Sequence, residues 1–166
     1  MPLTSNWWLS KGRRSHAYVL PEITLDPQAR GGKRVSYSVR SDGGSPPEGT
    51  VGRRGGRCLA CDSTPSLVYI REQGRARLLG AHLVGIVAEG PRQRAYVSPT
   101  QEHVDAADVP APDDSIVGSL GYYPRDLKAP TYGLTEFTDL FMPRQLTALT
   151  TFCDLVAEAR LQVLAD

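Results

Sequence analysis

The alternation of apolar and polar residues predicts β-structure in the first part of the chain. Residues 17–20 and 23–25 are short runs of β-prone residues, and residues 35–39 alternate with a period of two. Gly31-Gly32 on one side of that last segment and Asp42-Gly43-Gly44 on the other predict turns. Residues 83–89 and 95–97, joined through Gly90-Pro91, predict a further β-hairpin.

Residues 66–77 are compatible with either a helix or a strand, and the clear helical patterns lie in the second half of the chain. Ser98-Pro99 followed by acidic residues predicts a short helix that ends before Pro110. Residues 110–133 are rich in Pro, Gly and Asp and predict an irregular connection. From Pro143 onward, apolar residues recur at helical spacing, which predicts a long C-terminal helix with Cys153 packed in a core.

Composition narrows the class of protein without identifying it. The chain has 166 residues, 40% hydrophobic and 22% charged, close to globular averages. It contains neither an apolar run of the roughly 18–20 residues that span a bilayer nor the apolar core of a signal peptide. We therefore expect a cytoplasmic protein with no membrane partner.

Charge is distributed unevenly between the two parts of the chain. Residues 1–77 hold thirteen Lys/Arg and six Asp/Glu, a net charge of +7, whereas residues 78–166 hold six and twelve, a net charge of −6. A basic segment favours a polyanionic partner such as nucleic acid. The alternative is that the two parts neutralise each other within one fold.

The most specific motif is Cys58-Leu59-Ala60-Cys61, preceded by a glycine-arginine stretch. Two thiolates at this spacing on a turn can bind one tetrahedral zinc ion at about 2.3 Å. The sequence has no second pair, so Cys58 and Cys61 predict half of a zinc site. Incidental cysteines and a redox pair are the alternatives, although the context of a redox CxxC is missing.

Basic residues in the predicted turns are candidates for contacts with phosphates. Arg53, Arg54 and Arg57 are the strongest of these. Aromatic side chains in the same part of the chain either stack on bases or fill a small β-core, and we expect most to be core residues. The predicted nucleic-acid-binding residues are Lys11, Arg13, Arg14, Arg53, Arg54 and Arg57.

Motifs for autonomous catalysis are missing from the sequence. No Gly-x-Gly loop follows an apolar strand with a ribose-binding acid downstream, so no cofactor cradle is visible. No P-loop occurs, and no Asp/Asn-Pro-Pro-Tyr/Phe tetrapeptide of the kind that amino-methyltransferases use is present. The sequence therefore predicts no catalytic residues.

Many stretches of the chain together resemble large bacterial and archaeal adenine-specific DNA methyltransferases that contain a zinc ribbon. The resemblance runs nearly from end to end. The matching residues are 1–3, 8–11, 47–51, 53–55, 57–58 with 61, 69–71, 80–81 with 83, 86–90, 124–126, 132–135, 137–141, 143–146 with 149–152, and 154–156.

The resemblance implies that this chain corresponds to only part of such a methyltransferase. In that family a second cysteine pair precedes the segment similar to Met1-Pro2-Leu3 and would complete a four-cysteine ribbon with Cys58 and Cys61. The S-adenosylmethionine motif lies further upstream, and Asp-Pro-Pro-Tyr lies downstream. We therefore expect an internal segment that holds DNA, binds zinc incompletely and does not bind S-adenosylmethionine alone, with the remaining portions of the methyltransferase as partners.

The predicted fold class is α+β. A mostly β, zinc-ribbon-like module is expected over residues 1–98, a short helix and an irregular Pro-rich connection over 99–135, and a C-terminal helical segment over 136–166. The competing hypothesis is a stand-alone nucleic-acid-binding or protein-interaction module. An autonomous enzyme is the weakest interpretation.

Overall fold

The computed structural model describes residues 1–12, 15–29, 31–112, 116–123 and 125–165. Its fold is mixed α+β, with small antiparallel sheets and a C-terminal helix, as predicted. The chain divides into two compact units, one of Met1–Ile70 with Leu79–Gln101 and the other of Arg71–Leu78 with Glu102–Asp166. The predicted domain boundaries at residues 98 and 135 stay a prediction. Among the described residues, no helix has the length and apolarity to cross a membrane.

The first unit is built on an antiparallel sheet in the order β1-β2-β3. These strands are Trp8–Gly12, Ser15–Leu25 and Lys33–Arg40. The two predicted runs in residues 17–25 form the single strand β2, which continues through Pro21, opposite Tyr37. Two short hairpins accompany the sheet, β4 (Val51–Gly52) with β5 (Gly55–Gly56), and β6 (Ile86–Glu89) with β7 (Arg94–Val97).

The core of the first unit surrounds the beginning of the central strand. Ala17, Tyr18 and Val19 are buried in succession, which requires cover on both faces of the sheet. Val19 lies beside Leu9 and Val39 of the neighbouring strands, close to Gly85. Burial raises the pKa of the Tyr18 hydroxyl, which donates a hydrogen bond to Asp42. The later part of β2 is exposed, so the core is small.

Three α-helices in the described residues follow the sequence predictions. Helix α1 (Leu67–Arg75) resolves the ambiguity of residues 66–77, and the Ser66 hydroxyl accepts the Tyr69 N–H at 3.2 Å at its first turn. Helix α2 (Gln101–Ala107) ends before Pro110, as predicted. Helix α3 (Pro143–Ala165) confirms the C-terminal helix.

The second unit buries very little of α3. Leu146 is the buried residue of this helix, whereas Phe152, Val163 and Leu164 are 68–76% exposed. The prediction that Cys153 packs in a core is wrong, because its side chain is exposed. A helix with this much apolar surface normally packs against another element, yet every described side chain of α3 after Thr150 is exposed.

Asp139 organises the segment that precedes α3. Its carboxylate pairs with the Arg77 guanidinium, with Nη1–Oδ1 and Nη2–Oδ2 distances of 2.5 and 3.0 Å. It also accepts the N–H groups of Thr135 and Glu136 at 2.7 and 2.9 Å, and its side chain is 15% exposed. The Arg77 hydrogen bonds lower the pKa of Asp139 to about 2, against desolvation that raises it.

We expect Asp139→Asn to destabilise the protein by about 1–2 kcal/mol at pH 7. Because folding lowers the pKa of Asp139, its contribution is complete above the ordinary pKa near 4 and disappears as the pH falls towards 2. Urea unfolding of both proteins between pH 7 and pH 2 measures this convergence. Asp154→Asn, an exposed change on α3, is the matched control. A stability difference that does not vary with pH would contradict the assignment.

Candidate functional site

The two cysteines of the CxxC motif lie on one closed turn that follows the β4–β5 hairpin. The Cys58 N–H donates to the Ser63 carbonyl at 2.8 Å, and the Asp62 N–H donates back to the Cys58 carbonyl at 2.9 Å. Asp62 adopts a left-handed conformation with φ of 57°, which lets the chain reverse after Cys61. The turn leaves Cys61 exposed and Cys58 half-buried.

Hydrogen-bond donors around Cys61 favour its thiolate form. The Ser63 hydroxyl lies 3.2 Å from the Cys61 sulfur. This hydroxyl, then the Ser63 N–H and the Cys58 thiol, lower the pKa of Cys61, while desolvation and the charge of Asp62 oppose them. The local donors suit an anionic metal ligand.

Two basic side chains, Arg57 and Lys33, bind to the cysteine turn. The Arg57 guanidinium pairs with Asp62, with an Nη2–Oδ1 distance of 2.8 Å, and both side chains are about two-thirds exposed. From β3, the Lys33 ammonium donates to the Ala60 carbonyl at 2.7 Å. An exposed pair of this kind adds roughly 0–1 kcal/mol to stability, so Arg57 can exchange its partner for a phosphate at little cost.

Arg53 and Arg54 form the tip of the hairpin that leads into the cysteine turn. Both are exposed, and neither has a hydrogen bond or ion pair to any residue that the structure describes. The Gly56 N–H donates to the Pro65 carbonyl at 2.8 Å, and the Arg57 N–H donates to the Thr50 carbonyl at 2.7 Å. The backbone therefore holds the hairpin firmly while the two guanidinium groups face solvent.

Of the predicted site residues, Cys58, Cys61, Arg53, Arg54 and Arg57 occupy one hairpin and its following turn. Lys11 lies on β1, with its ammonium 5.7 Å from the centre of the Trp8 ring. Arg13 and Arg14 lie outside the described residues. Sequence reasoning missed the parts that Ser63 and Lys33 play in the turn. The serine two positions after the second cysteine was a usable signal, whereas nothing in the sequence places Lys33 there.

The fit of zinc to these residues is partial. Two thiols on one turn supply two of the four ligands of a structural zinc site. Within the described ranges, no three His, Cys, Asp or Glu side chains are grouped so that they could hold a metal ion. His16 packs against Trp8, with ring centres 4.7 Å apart, and His82 packs against Tyr37 at 5.1 Å.

Comparison of the chain with protein-family models, with curated proteins and with solved structures yields no match. The interpretation of the cysteine turn and the arginine hairpin therefore depends on their own geometry and on the sequence resemblance.

We expect Gly55→Ala to disrupt the hairpin before the cysteines. A Cβ at Gly55 would overlap the Pro65 carbonyl oxygen, and its φ of 146° disfavours any side chain. The expected loss of stability is about 1–3 kcal/mol. Gly52→Ala is the matched control, because a Cβ there has no neighbour within 4 Å. Thermal unfolding of both variants makes the comparison, and equal effects would refute the role of Gly55.

We expect zinc to bind with about micromolar or weaker affinity, because two of four thiolates provide only part of the binding energy of a structural site. Competition with a chromophoric chelator measures this affinity. Cys58→Ser and Cys61→Ser should each weaken binding further, whereas Cys153→Ser, which changes the third cysteine, should not. Stoichiometric zinc that resists the chelator would show the prediction to be wrong.

Proposed function

We propose that this chain is the DNA-holding part of an adenine-specific DNA methyltransferase and is not catalytic by itself. The observation that carries the proposal is the continuity of the β4–β5 hairpin with the cysteine turn. Arg53 and Arg54 lie at the exposed tip, and Cys58 and Cys61 follow directly behind it. A metal-braced turn that presents guanidinium groups is suited to holding a nucleic-acid backbone.

The proposed contacts are to phosphates rather than to bases. Arg53 and Arg54 are on a two-residue turn and project from a rigid hairpin, without competing carboxylates among the described residues. Guanidinium groups bind phosphate with parallel hydrogen bonds and carry no sequence information in doing so. Holding the duplex in this way would assist an enzyme that must flip the target adenine out of the stack.

The proposed zinc-ribbon-like module takes its remaining ligands from elsewhere. The N-terminal segment lies against the same hairpin, where Thr50 hydrogen bonds to Pro2 and Thr4 and the Met1 side chain approaches Gly56. In the resembled family, a cysteine pair precedes the segment similar to Met1-Pro2-Leu3. The path of residues 1–4 supports a ribbon closed by such a pair. When bound, zinc would fix the turn and would supply no reaction chemistry.

The proposed partners are the remaining portions of the methyltransferase. The sequence has neither the cofactor loop nor Asp-Pro-Pro-Tyr, so binding of S-adenosylmethionine and methyl transfer belong to those portions. The exposed apolar side chains of α3, among them Phe152, Leu161 and Val163, form a surface for packing against them. The same surface favours the second candidate, a stand-alone protein-interaction module.

We expect Arg53→Ala/Arg54→Ala to weaken binding to duplex DNA and to reduce the dependence of log affinity on log salt concentration by about two, because each phosphate that an arginine neutralises contributes about one to this slope. Fluorescence anisotropy of a labelled duplex over a salt series measures both quantities.

Arg75→Ala/Arg92→Ala is the matched control, since it removes the same charge from two exposed arginines that are not part of the hairpin sequence. If both double variants lose the same DNA affinity, the loss is due to the change in net charge and not to the position of Arg53 and Arg54. If the unaltered protein does not bind DNA even at low salt, the DNA-holding role is wrong and the protein-interaction module becomes the better hypothesis.

A further inference from the structure

A groove of about 440 Å³ lies in the first unit between the beginning of β1 and the loop that precedes β4. Trp8 and Lys11 line it from β1, and Pro46 and Pro47 line it from the loop. Ser5 and Asn6 add polar groups. The volume is within the range of small-molecule sites, about 300–1,000 Å³, and is enough for one nucleotide.

The aromatic wall of the groove is fixed in place. The Trp8 ring has edge contacts with His16 and Tyr18, with ring centres 4.7 and 5.7 Å apart. The Trp8 N–H donates to the Asn6 side chain at 3.0 Å, which holds the backbone at this point. A half-buried indole restrained in this way loses little freedom when a planar ligand stacks on it.

The loop that lines the rest of the groove is also constrained. Pro46 and Pro47 have restricted backbones, and the buried indole of Trp7 donates to the Glu48 carbonyl at 3.1 Å. A Cβ at Gly49 would overlap the Ser5 carbonyl oxygen, so the loop lies directly against the N-terminal segment. These contacts fix the backbone on both sides of the groove.

The polar groups of the groove define the class of ligand. Lys11 contributes one cation, 5.7 Å from the centre of the Trp8 ring, and Glu48 is also among the lining residues. A single cation in a groove with an acidic residue disfavours a free polyphosphate. Ser5, Asn6 and Lys11 disfavour a purely apolar ligand. A planar aromatic group joined to a single phosphate satisfies both the indole and the ammonium.

We propose that this groove binds one unpaired nucleotide of DNA, with its base stacked on Trp8 in the groove that Pro46 and Pro47 also line, and with the adjacent phosphate at Lys11. The proposal rests on the proposed DNA-holding function and adds to it a site for single-stranded DNA. The flexible lysine moves from above the indole to the phosphate when the base enters. Stacking of this kind tolerates all four bases, because each has a π-face.

The test compares three labelled probes by anisotropy: a short single-stranded oligodeoxyadenylate, an abasic oligonucleotide of equal length, and the corresponding duplex. Trp8→Ala should weaken binding of the base-containing single strand by about 5- to 100-fold, and should leave the abasic and duplex probes unchanged. Lys11→Ala should weaken both single-stranded probes alike and lower their salt slope by about one. Circular dichroism of each variant verifies folding.

Tryptophan fluorescence gives a second measurement that does not depend on the alanine variant. In the unaltered protein, the base-containing single strand should quench emission more than the abasic probe does. Trp8→Phe should abolish that difference in quenching, because the remaining Trp7 is buried. The variant should retain most of the affinity, because a phenylalanine ring also stacks on a base. A failure of Trp8→Ala to fold therefore leaves the proposal testable.

Two results would overturn the stacking site. One is an equal effect of Trp8→Ala on base-containing and abasic probes, and the other is equal quenching by these probes in the unaltered protein. Duplex binding that depends on Arg53 and Arg54, without preference for unpaired bases, would refute the groove and leave the DNA-holding function standing. Absence of binding to all three probes would refute both.

Discussion

The backbone around Thr50 ties the N-terminal segment to the hairpin that carries the candidate site. Thr50 is 2% exposed, and its hydroxyl accepts the Thr4 N–H and donates to the Pro2 carbonyl. Its own N–H donates to the Thr4 carbonyl, and its carbonyl accepts the Arg57 N–H. A buried polar group without partners costs about 1–3 kcal/mol. Moving the N-terminal segment or the hairpin would break these hydrogen bonds, so Thr50 favours the observed arrangement of the two segments.

Both proposed contact regions depend on that arrangement. On one side of Thr50, the β4–β5 hairpin continues into the turn of Cys58 and Cys61. On the other, residues 4–6 lead to Trp8 and contribute polar groups to the groove. The hydrophobic core of the first unit is small and centred on Val19. Such a core does not by itself fix the N-terminal segment and the loop that precedes β4. Specific hydrogen bonds therefore determine much of the geometry that the proposed function requires.

The second unit presents a different physical situation. The segment that precedes α3 is held by Asp139, which pairs with Arg77 and accepts two backbone N–H groups. Beyond this segment, α3 carries Phe152 and Val163 into solvent. The helical periodicity correctly predicted the helix and incorrectly predicted that Cys153 would be buried. Periodicity identifies a face that can pack, and it does not supply the element that covers it.

The sequence by itself determined the regular elements with strong local signals. Pro143 and the apolar repeat after it define α3, and alternation at residues 35–39 lies within β3. The CxxC spacing places Cys58 and Cys61 on one turn. Only the tertiary structure decided which distant segments come together: Lys33 reaches the Ala60 carbonyl, Thr50 bonds to the N-terminal segment, and Pro46 and Pro47 line the same groove as Trp8. Local patterns cannot encode these contacts, because each joins segments far apart in the chain through a few hydrogen bonds or packing contacts that leave no periodic trace.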